Sequence, residues 1–148
     1  MAVRIEEARF DPGAESNLFL ASNVGAGAAV TFTGLVRSQP ADPIMALTLE
    51  CYPELAIRQL ESLGNEAVVR FGLIKYTVIH RYGRLLPGEP IVQVMTLAPH
   101  RDAAFKGAEF LMDYLKTDAP FWKKEATAEG DRWVEAKAAD DTAKARWA

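Results

Sequence analysis

Basic residues at the ends of predicted elements are where this chain could do chemistry. Arg37 closes an apolar strand, His100 and Arg101 follow Pro99 at a strand-to-helix junction, and Lys116 ends the helix begun there. Lys123 and Lys124 sit in the run Phe121-Trp-Lys-Lys-Glu125. Cations from separate segments that converge on one pocket make a site for an anion, and the free N–H groups at a helix start add to it. A phosphorylated ligand suits such a set. A partly buried lysine can do more than bind, because burial lowers its pKa toward proton transfer. Each residue also has a plain structural use. Arg37 can be a solvated loop arginine, and His100 and Arg101 can be helix-start residues beside Asp102. A cation such as Lys116 is favoured near a helix C-terminus, with Asp113 three residues before it.

Periodicity sorts these candidates. At about 100° per residue, Lys116 falls roughly twenty degrees from Phe105, on the flank of the apolar stripe, so partial burial is expected. Alternation along the closing segment sends Phe121, Lys123 and Glu125 to one face and Trp122 and Lys124 to the other. Only one lysine of that pair should enter a given pocket. The single cysteine, Cys51, shares an alternating face with Leu47 and Leu49. It is expected to pack rather than to carry sulfur, since reactive thiols need exposed, electropositive settings.

The elements that must position these residues follow from the same patterns. An edge strand is expected over residues 3–10, a short helix over 12–23 closed by Gly25 and Gly27, and a strand over 28–36. The two prolines of residues 38–43 make that stretch a loop. A strand over 45–52 leads into a helix from Pro53 to Phe71, stopped by Gly72. Strands over 75–81 and 91–97 flank a turn at 86–89, and an amphipathic helix over 101–116 ends before Pro120. A hairpin of 121–126 with 132–136 closes the body, and an Ala-rich, charged tail from Lys137 carries Trp147. Helical crossovers mixed with hairpin-like pairs predict an α+β domain with a mixed or antiparallel sheet and a hairpin subdomain.

Composition removes several functions. About half of the 148 residues are apolar, enough for one domain of ordinary size over residues 1–148. A net charge of -3 argues against broad nucleic-acid binding. One cysteine excludes an internal disulfide or a thiolate cage, and His80 with His100 makes a poor metal set. No glycine-rich nucleotide loop is present. Without a long apolar run, and with Arg4, Glu6, Glu7 and Arg9 near the start, a cytoplasmic protein with no membrane contact is expected.

Four stretches carry a resemblance to a known family. Val30-Thr-Phe-Thr-Gly-Leu-Val-Arg37, Ala46-Leu-Thr-Leu-Glu50, Val78-Ile-His-Arg-Tyr-Gly83 and Ala98-Pro-His-Arg101 resemble the large, catalytic subunit of molybdopterin synthase. The closing runs Met112-Asp-Tyr-Leu-Lys-Thr117, Ala119-Pro-Phe-Trp-Lys-Lys-Glu125 and Glu129-Gly-Asp-Arg-Trp-Val134 are the most specific, and the order holds over nearly the whole chain. The resemblance implies an α/β hammerhead-like fold and a homodimer of large subunits within a heterotetramer. A small ubiquitin-like subunit would bring sulfur as a C-terminal Gly-Gly thiocarboxylate. The implied reaction is sulfur transfer to cyclic pyranopterin monophosphate, forming the dithiolene of molybdopterin, with no metal or other cofactor in the step. Carried over by motif, Lys116 and Lys123 are the catalytic lysines. Arg37, His100 and Arg101 contact pterin and phosphate, and Leu35, Val36, Lys124 and Glu125 line the same site. A neighbouring large subunit can contribute some of these residues. The run Ser38-Gln-Pro-Ala-Asp-Pro43 departs from the polar, Asn- or His-bearing loop that the resemblance implies. Two other readings compete: a scaffold that docks a ubiquitin-like partner without turnover, and a generic phosphate-ligand enzyme, for which no nucleophile triad is present.

Overall fold

Caps and prolines set the helix starts in the computed structural model, which describes residues 2–117, 120–134 and 138–148. Asp11 accepts hydrogen bonds from the N–H groups of Gly13 (3.0 Å) and Ala14 (3.2 Å), and Pro12 opens α1 (Pro12–Leu20). This helix stops three residues short of the expected end. Asn23 Nδ2 donates to the carbonyls of Phe19 and Ala21, and Ser22 turns the chain at φ 61°, so neither glycine is needed as a stop. Pro53 opens α2 (Pro53–Phe71), and Gly72 closes it in the left-handed conformation at φ 73°. The third helix, α3 (Arg101–Thr117), buries Ala104, Ala108, Phe110, Leu111 and Leu115 along one stripe.

Among the described residues, eight strands form two four-stranded sheets. The first runs β1 (Val3–Glu6), β4 (Lys75–Arg81), β6 (Pro90–Ala98), β2 (Ala28–Leu35), with β1 parallel to β4 and the other pairs antiparallel. The second is antiparallel throughout: β5 (Gly83–Leu85), β3 (Ala46–Cys51), β7 (Phe121–Thr127), β8 (Gly130–Val134). The fold class is α+β, as the pattern implies. The hairpin β7–β8 is not a separate appendage, however, because β3 and the short β5 extend it into a sheet. Three residues were too few for β5 to show in the alternation. Residues 118, 119 and 135–137 lie outside the described set. They include Ala119 of the closing motif, Ala136 at the expected hairpin end and Lys137 at the start of the tail.

Three apolar clusters follow from this arrangement among the described residues. Val92, Val94 and Ala98 of β6 face α2 and α3, joining Val78, Leu60, Phe110 and Leu111, while Met95 and Leu97 face Phe19 of α1 on the other side. A strand covered on both faces is apolar almost throughout, which is why β6 reads as a continuous run. Val36, Ile44, Leu47, Leu49 and Leu85 form the core of the second sheet, and Ile91 packs against both this cluster and the larger one. The C-terminal α4 (Ala138–Ala145) is followed by Trp147, whose ring meets Phe71 and Phe110 edge-on at 5.5 and 5.7 Å and whose Nε1 donates to Asp113 at 2.6 Å. Phe110 is the hub of this aromatic group, fully buried and in contact with Phe71, Tyr114 and Trp147. Phe110→Ala is expected to cost about 3–5 kcal/mol, read as a lower urea midpoint at unchanged m value.

Candidate functional site

The seam between the two sheets encloses a cavity of about 280 Å³. The first sheet supplies Phe32, Gly34 and Leu35 from β2, His80 from β4, and Ile91 and Val92 from β6. The second supplies Leu49, Phe121, Lys123 and Val134. The end of α3 adds Leu115, Lys116 and Thr117, and α4 adds Asp140. Gly34 has a steric reason to be glycine: a Cβ there would sit 2.7 Å from Val92 Cγ1 and disturb the floor.

Two lysines reach this cavity by different routes. In the β3–β7 pairing Leu49 lies opposite Lys123, so Lys123 shares the inner face of the second sheet with Leu47, Leu49 and Phe121. Lys124 takes the outer face, where its Nζ sits 5.5 Å from the centre of the Trp133 ring. Lys116 arrives from the last turn of α3 and is exposed at the cavity rim. That corrects the burial expected from its position beside Phe105. Phe105 is itself 59% exposed, because the buried stripe centres on Ala104, Ala108, Leu111 and Leu115 and leaves that flank of the helix to solvent.

Of the remaining predicted residues, Leu35 lines the cavity and the others lie outside it in one chain. Val36 is buried in the core of the second sheet, held by a hydrogen bond from its N–H to Glu89 O (2.9 Å) and by one from Gly88 N–H to its own carbonyl (2.8 Å). Arg37 is exposed just beyond. His100 and Arg101 are exposed at the opposite end of α3 from Lys116, roughly 22 Å along the helix axis. A single chain therefore does not bring them to the lysines. Glu125 accepts from Arg132 Nε at 2.9 Å, and the same guanidinium meets Asp42 at 2.6 Å, which ties the divergent 38–43 loop to the hairpin. Ser38 Oγ accepts from Ile44 N–H at 3.0 Å and fastens the loop's other end.

His80 is a site residue that the sequence reading considered only as a metal ligand. Its imidazole is buried, stacks on Phe121 with centroids 4.0 Å apart and planes 18° off parallel, and has Nδ1 2.7 Å from the carbonyl of Arg81. Burial lowers its pKa from 6.5 to about 4, against the hydrogen bond to Arg81 O, with Lys123 and Lys116 adding repulsion. The signal was present: His80 alternates with Tyr76 and Val78 on an apolar face, where a histidine needs an explanation. Cys51 is half-buried opposite Phe121 in the β3–β7 register, and burial raises its pKa, so the thiolate is disfavoured. Among the described residues no three His, Cys, Asp or Glu side chains gather as metal ligands, and no helix is long and apolar enough to cross a membrane.

Two lysines and a neutral imidazole in a half-apolar cavity suit an anionic ligand. Comparison with known proteins places the chain in a family of enzymes. The model of the MoaE protein family matches residues 5–118. The molybdopterin synthase catalytic subunit of Pseudomonas aeruginosa is 49% identical over 148 residues, 99% of both chains. The molybdopterin biosynthesis MoaE protein of Burkholderia ambifaria superposes with a TM-score of 0.83 at 48% identity, over 99% of this chain and 98% of that one. The molybdopterin synthase structure from Staphylococcus aureus reaches the same TM-score at 27% identity, over 91% of this chain and 98% of that one. The chain belongs to the MoaE family, the catalytic subunits of molybdopterin synthase, which convert cyclic pyranopterin monophosphate to molybdopterin in molybdenum-cofactor biosynthesis.

Two outcomes follow from the buried groups. A histidine whose folded pKa is depressed adds stability that is complete above its unfolded pKa and is lost as pH falls through the folded one. For His80 that window runs from 6.5 down to about 4, so urea midpoints over this range should fall more steeply in the wild type than in His80→Phe. Cys51→Ala should keep most sulfur-transfer activity at a small loss of stability. Total loss of transfer in a folded variant would make Cys51 a sulfur carrier.

Proposed function

We propose that the lysine cavity is the site where a small ubiquitin-like subunit's C-terminal thiocarboxylate meets cyclic pyranopterin monophosphate. The observation that carries this is the convergence of Lys116 and Lys123, from α3 and β7, on one cavity between the sheets. A Gly-Gly tail has no side chains, so it can enter a narrow apolar channel. At its end the thiocarboxylate carries a negative charge that an ammonium group stabilises in a cavity walled by Leu35, Leu49 and Ile91. Lys116, at the rim, exchanges protons as the thiocarboxylate sulfur bonds to the pterin side chain and the cyclic phosphate opens. Water then cleaves the acyl carbon–sulfur bond, leaving sulfur on the pterin and a carboxylate on the small subunit. Lys123, fixed on the sheet, orients the reacting anion. Two rounds give the dithiolene.

Arg37, His100 and Arg101 are the phosphate- and pterin-contacting set in this reading. The length of α3 separates His100 and Arg101 from the lysines of their own chain, so a neighbouring large subunit supplies them. Lys124 and Glu125, engaged with Trp133 and Arg132, support the hairpin that carries Lys123. The assembly is a heterotetramer of two large and two small subunits, acting in the cytoplasm.

The test mixes this protein with a thiocarboxylated small subunit and the pterin precursor, and follows dithiolene formation in a single turnover alongside complex formation. Guanidinium stays protonated at working pH, so Lys116→Arg should fail almost as badly as Lys116→Ala, by about 10²-fold or more. Lys123→Arg should recover part of what Lys123→Ala loses, and Lys124→Ala should lose least. Near-normal turnover in Lys116→Ala with docking intact would reject the catalytic assignment in favour of a scaffold.

A further inference from the structure

His80 stands at the joint of the two sheets, and its hydrogen bonding fixes which nitrogen is free. A carbonyl oxygen can only accept, so the 2.7 Å contact with Arg81 O puts the hydrogen on Nδ1. In the neutral ring Nε2 is then an acceptor. The ring cannot swing, because it is buried and its face lies on Phe121 at 4.0 Å. Phe121 belongs to β7 and precedes Lys123 by two residues on the same sheet face. Among the described residues, the charged side chains that share the cavity with the imidazole are Lys116 from α3, Lys123 from β7 and Asp140 from α4, while β2 and β6 meet it with Gly34, Val92 and other uncharged residues. Arg81 turns its guanidinium away, donating to Glu7 O and to Glu89, each at 2.8 Å.

An ammonium group has three donors and no acceptor, so besides its other contacts it can donate to a neutral nitrogen acceptor. We propose that His80 is a positioning residue for sulfur transfer: its neutral Nε2 accepts a hydrogen bond from Lys123 in the loaded cavity and aims that ammonium at the reacting anion. The Arg81 carbonyl sets the tautomer, the Phe121 stack sets the ring, and the ring sets the lysine. A neutral acceptor also orients the lysine without cancelling its charge, as a carboxylate in the same place would.

The inference rests on the assignment of this cavity to sulfur transfer, so wild type and Lys116→Ala are assayed first; activity in one and its loss in the other establish that assignment separately. Four further variants, His80→Phe, His80→Gln, Lys123→Ala and the double variant His80→Phe/Lys123→Ala, are compared in single and multiple turnover. Phenylalanine keeps the stack and removes the acceptor, whereas the glutamine carboxamide restores an acceptor near Nε2 and gives up the stack. His80→Phe should lower kcat about tenfold with KM within about twofold, and His80→Gln should recover most of it. In the Lys123→Ala background His80→Phe should cost nothing further. Near-wild-type turnover in His80→Phe would overturn the proposal. So would a greater loss in His80→Gln than in His80→Phe, or an undiminished effect in the absence of Lys123. Nitrogen NMR of the imidazole in the wild-type complex tests the same point without a variant. An unprotonated Nε2 whose resonance shifts when cyclic pyranopterin monophosphate is added supports it, and a protonated Nε2 or a resonance that does not move refutes it.

Discussion

Antiparallel pairing of β7 with β3 puts Leu49 opposite Lys123, and the rest of the site depends on that register. Side chains alternate along a strand, so a slip of one residue would turn Lys123 out to solvent and bring Lys124 into the cavity. Burial of Leu47, Leu49 and Leu85 on the inner face makes such a slip costly. The outer face adds its own preference, with Trp122 against Tyr52 at 6.1 Å and Lys124 over Trp133. The lysine's placement is thus a by-product of apolar packing on its own strand pair.

The second constraint is the closeness of the two sheets along the seam. Within the first sheet Gly34 lets β2 lie against Val92, and across the seam His80 meets Phe121 of the second sheet in a face-to-face stack. The Arg81 side chain anchors the same strand end to Glu7 O and Glu89, and Glu89 in turn holds Arg9 and, through its carbonyl, the Val36 N–H. The loop after β2, from which Arg37 projects, is therefore fastened to the strand that carries His80.

Helix α3 divides the functional residues between two ends. Its N-terminus, with His100 and Arg101, offers free N–H groups and a positive dipole end. Its C-terminus carries Lys116 to the cavity. A rigid rod of this length cannot bring both ends into one pocket of the same chain.

Much of the molecule was legible in the residue order. The helix from Pro53 to Phe71, the strand from Lys75 to Arg81 and the amphipathic helix after Pro99 all emerge from local periodicity, cap residues and prolines, which act within a turn or two. Alternation alone separated Lys123 from Lys124, and motif resemblance named the family. What sequence could not supply was distance between segments. The short β5, the union of β3 with the hairpin, the exposure of Lys116 and the stack of His80 on Phe121 each depend on contacts between residues far apart in the chain. Local propensity carries no information on such contacts. Only the packing of one sheet against the other decided that His80 borders the lysines, because side-chain direction is a local property and convergence is a tertiary one.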